Sequence, residues 1–415
     1  MGWCHKKIRM TESKKYPWIV VGLLWVVALL NYMDRQMIAT MRPSMQLDIT
    51  ELSQATNYGY LMAVFLWVYG SMSSFSGIIA DRINRKGLII GSLFVWSLVT
   101  FAMGFATTFN TLYWLRALMG FSEALYIPAG LSLIADYHSD KTRSLAVGLH
   151  MSGIYMGQAL GGFGATVAKQ FSWQYAFMFF GGFGMVYAIV LVIFLQDNIK
   201  REMVDKAQKS YQSVLKSVTS LLSSFSFWII ILYFAVPSFP GWAIKNWAPT
   251  LIADKLHIDM SIAGPLTTIS ISLSSLLGVI VGGYFSDKWV QQNIRARIYI
   301  GAIGLSLMIP SLLLLGYSNS IVVVFAAASM FGFGFGMFDT NNMPILCQFV
   351  PSSSRATAYG FLNTAGIFAG AVITDYLGKS TDAGNLNRDF AALAGIVVVV
   401  IAVQLLFLKP KQAAA

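Results

Sequence analysis

Twelve stretches of about twenty mostly apolar residues follow one another along this 415-residue chain. They lie near 17–44, 57–80, 88–108, 111–136, 142–168, 173–196, 224–252, 261–286, 298–317, 320–349, 355–377 and 388–408. A helix needs about that length to cross the hydrocarbon core of a bilayer. Isolated glycines and prolines within the stretches do not argue against spanning, because neighbouring helices can satisfy the backbone groups they free. Composition points the same way: 56 % of residues are hydrophobic and 11 % charged, where an ordinary soluble domain carries about 25 % charged residues. A soluble enzyme, a disordered tail and a nucleic-acid partner are therefore excluded. The chain is predicted to be an all-α membrane protein of twelve transmembrane helices.

Basic residues set the direction of those helices. An even number of spans puts both termini on one side, and with that side inside, 21 Lys and Arg fall inside and 6 outside. Cytoplasmic loops carry such an excess, so the net charge of +11 is topogenic and both termini are expected in the cytoplasm. The expected divisions are a cytoplasmic N-terminal segment over 1–16, a six-helix bundle over 17–196, a cytoplasmic linker over 197–223, a second six-helix bundle over 224–408 and a tail over 409–415. The linker's apolar pattern suits either a short helix on the membrane surface or a flexible connection. The first apolar run is too long for a signal peptide and is read as span 1. Cys4 and Cys347 form no disulfide framework, and neither sits in a metal-ligand cluster. No metal is expected.

An internal repeat ties the two halves together. After span 2 the chain reads Gly77-Ile-Ile-Ala-Asp81-Arg82-Ile-Asn-Arg85, and after span 8 Gly283-Tyr-Phe-Ser-Asp287-Lys288, 206 residues on. A second match, Arg143 to Gly148 against Arg355 to Gly360, recurs at an offset of 212. Two motifs at nearly one offset indicate a duplicated six-helix unit. The loop motif and the 6+6 pattern resemble the major facilitator superfamily. That likeness implies two pseudo-symmetric bundles rocking about a substrate site near mid-membrane. Gly77, Asp81, Arg82, Arg85, Arg143, Asp287 and Lys288 are then the expected conformational gate, an inner-side charge cluster that forms in one state and breaks in the other. Ordinary topogenic charge is the alternative for Arg85.

Charges deep in a span are costly and mark function. Span 1 holds Asn31-Tyr32-Met33-Asp34-Arg35, span 4 holds Arg116 and Glu123, and span 10 holds Asp339 before Asn341 and Asn342. Arg116 and Glu123 are two turns apart and share a helix face. At about 1.5 Å per residue, Asp34 falls between them in depth, so the four charges of spans 1 and 4 can converge. A purely structural salt-bridge cluster is the alternative. A carboxylate among cations in an apolar setting can gain and lose a proton as its partners change, which marks Asp34 and Glu123 as proton-coupling groups. With both protonated, Arg35 and Arg116 would lack counter-charge and favour a bound anion. Proton and anion would then enter together, with the proton as coupling ion and no other cofactor.

N-Y-x-D-R in span 1, with Arg116, Glu123, Ala124 and Pro128 in span 4, resembles the anion:cation symporter family, which includes bacterial sugar-acid/proton symporters. The stretch from Arg143 to Gly162 extends the likeness. It implies symport of a small organic anion in a bacterial inner membrane, with Tyr32, Gln158 and Asn363 near substrate. One departure is Trp173-Gln174, where that family has W-R. The run Leu133-Ile-Ala-Asp136 resembles spinster-type lysolipid carriers instead, which share N-Y-x-D-R. An amphiphile carrier is therefore the first alternative, and a receptor using a transporter fold the second.

Further candidate substrate contacts are Asn31, Tyr126, His150, Trp242, Lys245, Asn246, Asn341 and Asn342. Trp242, Lys245 and Asn246 lie between Pro240 and Pro249, where a broken helix could act as a gate. Gly378-Lys379-Ser380-Thr381 lacks the earlier glycine of a phosphate loop, and Gly332-x-Gly334-x-Gly336 has no preceding strand, so neither binds nucleotide. No catalytic residues are expected, and the protein is read as a monomer.

Overall fold

A computed structural model describes residues 15–82, 84–196, 219, 221–350 and 355–410. Residues 197–218 and 220 of the expected linker, the N-terminal segment to residue 14 and the tail from residue 411 lie outside the described residues. Among the described residues the chain is helical throughout its ordered elements. The first half comprises α1 (Tyr16–Asp48), α2 (Ala55–Arg82), α3 (Arg85–Met103), α4 (Phe109–Glu123), α5 (Tyr126–Tyr137), α6 (Asp140–Gly161), α7 (Gly164–Gln170) and α8 (Trp173–Phe194). The second comprises α9 (Phe225–Leu256), α10 (Met260–Trp289), α11 (Ala296–Tyr317), α12 (Ile321–Asp339), α13 (Asn342–Phe349), α14 (Arg355–Asp382) and α15 (Leu386–Phe407).

Taking α4 with α5 and α12 with α13 as single crossings, 10 helical spans are long and apolar enough to cross a membrane. Helix α2 and the pair α6 and α7 are not in that set, but α2 packs along α14 and α6 along α1 and α10.

Span 4 breaks directly after Glu123, and span 10 directly after Asp339. The breaks match: Gly120 and Gly336 lie three residues before the acid, and each accepts a hydrogen bond from the backbone N–H of the residue that follows it. A carboxylate at a helix C-terminus adds to the negative end of the helix dipole, so each acid calls for a cation from another helix.

Span 7 differs from the sequence expectation. Helix α9 runs unbroken from Phe225 to Leu256 through Pro237, Pro240 and Pro249. Pro249 has no N–H for the carbonyl four residues earlier, that of Lys245. Gln36 of α1 fills the gap, its Nε2 donating to the Lys245 carbonyl at 2.8 Å. A broken-helix gate is thus replaced by a bond between the halves.

Glycine is required where helices approach closely. A Cβ on Gly157 of α6 would run into the Leu29 carbonyl oxygen of α1. Across the halves, a Cβ on Gly162 would meet Thr268 of α10.

The halves are also bridged at the end that the charge count places outside. Lys169 Nζ lies 2.8 Å from Asp259 Oδ2, and Thr166 Oγ1 donates to the Ser261 carbonyl at 3.0 Å. Asp382, ending α14, accepts the backbone N–H groups of Ala55 and Thr56 at 2.7 and 2.8 Å. This carboxylate of one half therefore satisfies the first free N–H groups of a helix in the other.

Candidate functional site

The buried stretch of α1 and the buried face of α4 meet inside the first half. Glu123 is 0 % exposed, Arg116 1 %, Asp34 2 % and Arg35 9 %. Arg35 Nε donates to Glu123 Oε2 in a buried ion pair. The Arg35 guanidinium also stacks on three rings, with centroids at 4.4 Å (Tyr69), 4.7 Å (Tyr32) and 4.9 Å (Phe65). Arg116 shares Phe65 at 4.7 Å and points Nη1 at Met119 Sδ, 3.4 Å away. Asp34 lies beside Thr100, within the field of Glu123 and Arg116.

Two carboxylates and two guanidiniums make the cluster neutral as a whole, although only one pair is in contact. Asp34 Oδ1, Glu123 Oε1, Arg35 Nη2 and Arg116 Nε have no hydrogen-bond partner. Neither does the side chain of Asn31, which is fully buried near Glu123.

Tyr32 reaches from this cluster into a cavity of about 100 Å³ between the halves. Met151, Ile154, Tyr155 and Gln158 of α6 line one side. Gly241, Ile244 and Lys245 of α9, Ile271 and Ser275 of α10, and Phe331, Phe335 and Asp339 of α12 line the other. Lys245 Nζ stands 5.0 Å from the Trp242 ring and 5.6 Å from that of Phe335. Asp339 Oδ1 accepts from Asn342 Nδ2 at 3.1 Å. A larger cleft, of about 450 Å³, opens among the outer ends of α1, α7, α8 and α10 and contains none of these groups.

Of the expected substrate contacts, Tyr32, Gln158 and Lys245 line the central cavity, and Trp242 lies under Lys245. The remainder sit elsewhere. The Tyr126 hydroxyl donates to the Leu24 carbonyl at 2.8 Å, and its ring packs on Trp96 and His150. His150 is buried within the first half. Asn246 donates to Thr374 Oγ1 at 2.8 Å and Asn341 to the Met337 carbonyl at 2.9 Å. Asn363 bridges the halves, donating to Ser73 Oγ at 3.2 Å.

Of the expected gate, Arg85 is buried and pairs with Asp136, with Nη1 also donating to the Ser132 carbonyl at 3.0 Å. Arg143 donates to the His138 carbonyl at 3.3 Å. Asp287 pairs with Arg297 at 3.0 Å, and Lys288 is exposed beside it. Gly77 lies in α2, and the side chains of Asp81 and Arg82 lie outside the description. Gln174, at the position where an arginine was expected, donates to Asp48 Oδ2 at 2.7 Å, as does Trp173 Nε1.

Asp339, Tyr155 and Ser275 belong to the cavity but were not singled out from the sequence as site residues. Asp339 had a readable signal. Gly120-x-x-Glu123 and Gly336-x-x-Asp339 are separated by 216 residues, close to the repeat offset. Tyr155 sits one turn before Gln158 on the same face.

The model of the Major Facilitator Superfamily matches residues 24–374. A hexuronate transporter of Bacillus subtilis (strain 168) is 23 % identical over 423 residues, covering 97 % of this chain and 96 % of that protein. Protein spinster homolog 1 of Xenopus laevis is 28 % identical over 337 residues, covering 73 % of this chain and 60 % of that protein. Among solved structures, a bacterial homologue of the human lysosomal transporter spinster, in an inward-facing and occupied conformation, has the same fold. It superposes with a TM-score of 0.81 at 19 % identity, over 97 % of this chain and 100 % of that one.

Proposed function

The chain belongs to the Major Facilitator Superfamily and is a multi-pass membrane transporter, and from that premise we propose that it carries a small organic anion, a sugar acid, together with protons by alternating access. The observation that carries this reading is the buried Arg35–Glu123 pair, set in one cluster with Asp34 and Arg116 and joined to the central cavity through Tyr32, on which Arg35 stacks. A proton on Glu123 removes the counter-charge of Arg35. Holding an unpaired charge in so buried a place costs several kcal/mol. An anion drawn into the adjoining cavity offsets that charge, so proton and cargo favour each other's binding. Losing the cargo on the far side restores the pair by expelling the proton. Asp34 and Arg116 supply a second carboxylate and a second cation to the same balance.

The cavity's size supports a compact cargo. Its volume of about 100 Å³ is well under the roughly 300 Å³ at which pockets for drug-sized ligands begin. The relatives include sugar-acid transporters of bacteria. An amphiphile carrier is the second reading, favoured by the apolar side chains Met151, Ile154, Ile244 and Ile271 in the lining. On the strength of the charge imbalance between its loops we place both termini in the cytoplasm, and we propose a monomer in a bacterial inner membrane.

Uptake into proteoliposomes tests the coupling. D-galacturonate should accumulate under an inward proton gradient and compete where lysophosphatidylcholine does not. Glu123→Gln should still exchange galacturonate across the membrane but not concentrate it. Uptake that ignores the imposed gradient, or a Glu123→Gln variant that concentrates as well as the wild type, refutes proton coupling at this site.

A further inference from the structure

The Arg35–Glu123 pair has a counterpart in the second half. Glu123 is the last residue of α4, and Asp339 is the last residue of α12, 216 residues on. Arg35 lies on the first helix of its half, and Lys245 lies on the first helix of the other, 210 residues on. The duplicated unit therefore places a cation on its first helix and an acid at the break of its fourth, once per half.

The two copies differ in one respect. Arg35 and Glu123 are in contact. Lys245 and Asp339 form no ion pair, although both line the central cavity. Lys245 Nζ rests over the Trp242 and Phe335 rings, and Asp339 takes its hydrogen bond from Asn342. The other polar groups near them leave the pair open as well. Arg35, which shares the field of Lys245, is occupied by Glu123, and Tyr155, Tyr233 and Tyr359 are the groups electrostatically closest to Asp339 besides Lys245. A cation and a carboxylate that line one cavity without pairing suit a ligand with an anion at one end and hydroxyl donors at the other.

We propose that Lys245 and Asp339 are the two ends of the cargo site, with Lys245 taking the carboxylate and Asp339 accepting hydrogen bonds from hydroxyl groups. Tyr32 and Phe335 flank the carbon skeleton between them. This rests on the sugar-acid reading and sharpens it: the first half handles the proton, and the second selects a polyhydroxylated carboxylate over a plain one. A simple fatty or aliphatic acid satisfies Lys245 but offers Asp339 no donor beyond Asn342, which penalises it against a polyhydroxylated acid.

Binding to the purified full-length protein in detergent, followed by tryptophan fluorescence, tests the assignment with D-galacturonate and hexanoate as probes. The wild type should prefer galacturonate. Lys245→Gln should weaken galacturonate at least tenfold, while Lys245→Arg, which keeps the charge, should stay within about threefold. Asp339→Asn should cut the ratio of galacturonate to hexanoate affinity at least tenfold, mainly by weakening galacturonate. Unchanged galacturonate affinity in Lys245→Gln, or an unchanged ligand ratio in Asp339→Asn, overturns the proposal and leaves proton symport standing. If the wild type binds lysophosphatidylcholine but no galacturonate, the sugar-acid reading falls and the proposal falls with it.

Discussion

Neutralising one or both members of the Arg35–Glu123 pair tests whether it balances charge inside the bundle. In Glu123→Gln the guanidinium of Arg35 stays buried without its partner, and in Arg35→Gln the carboxylate of Glu123 does. Removing one partner of a buried pair costs about 3–5 kcal/mol. The structure places the two variants at different ends of that range. In Glu123→Gln, Arg35 keeps its three aromatic faces, each contributing roughly 0.5–2 kcal/mol, and Asp34 lies one residue away. That variant should lose about 3 kcal/mol. In Arg35→Gln, Glu123 retains only the more distant Arg116, so the loss should approach about 5 kcal/mol. The double variant leaves no unpaired charge, and its two amides can hydrogen-bond to each other. It should therefore melt no lower than Glu123→Gln, far above the temperature that adding the single losses would give. Thermal melting in detergent at neutral pH, followed by intrinsic fluorescence, is the measurement. A double variant as unstable as the sum of the singles would show that the two charges do not depend on each other, and the coupling scheme built on their exchange would go with them.

Gln36→Leu removes the bond that spans the halves and leaves the Lys245 carbonyl unsatisfied, because Pro249 cannot serve it. The cost of about 1–3 kcal/mol falls on the conformation in which α1 meets α9, so the outer ends should separate more often; spin labels on α7 and α10 should report a wider distance, and an unchanged distribution refutes the latch. At the outer bridge, the hydrogen bond from Lys169 and those from Ser261 hold the Asp259 carboxyl down to about 2 from its ordinary 3.8. With the bridged-state value depressed, the bridge contributes fully above pH 3.8 and fades only as pH falls through about 2, so between pH 5 and 8 the same labels should respond to salt, which screens exposed pairs, and not to pH. Gly157→Val should cost about 1–3 kcal/mol by driving a side chain into the Leu29 carbonyl, and an unshifted melting temperature would refute that close approach.

The spans and their duplication were legible because both rest on composition. A crossing must carry about 20 apolar residues, and a duplicated motif keeps its spacing. The convergence of Asp34, Arg35, Arg116 and Glu123 was legible for a related reason: depth follows from counting residues along helices that run straight across. What could not be read was where each polar side chain finds its partner. Tyr126 and His150 were placed near substrate by residue type, yet the Tyr126 hydroxyl meets the Leu24 carbonyl and its ring covers His150. Span 7 was read as a possible broken-helix gate between Pro240 and Pro249, and the carbonyl that Pro249 leaves free is met by Gln36, 209 positions away. Asp339 was recognised as a buried charge but stayed without a role, since its importance lies in its match to Glu123 and not in its own surroundings.

The difference between the two charge pairs follows from the residues that fill them. Glutamate is one methylene longer than aspartate, which lets Glu123 extend from the end of α4 to Arg35. Asp339 is shorter and is held back by Asn342, three residues further along the chain. Arginine offers a flat guanidinium that can stack on Tyr32, Phe65 and Tyr69 while donating to a carboxylate edge, so its pair closes into a packed unit. Lysine ends in a compact ammonium with three donors and no plane to stack; resting over Trp242 and Phe335, it still has donors to offer a newcomer. Exchanging the residue types between halves, with Lys at 35, Asp at 123, Arg at 245 and Glu at 339, should therefore close the second pair and loosen the first. The swapped protein should fold, since each half keeps one cation and one acid, but its affinity for D-galacturonate should fall at least tenfold because the cation that met the cargo now has a partner of its own. Galacturonate binding that survives the exchange would mean that the spacing of the helices, and not the length and shape of these four side chains, decides which pair stays open.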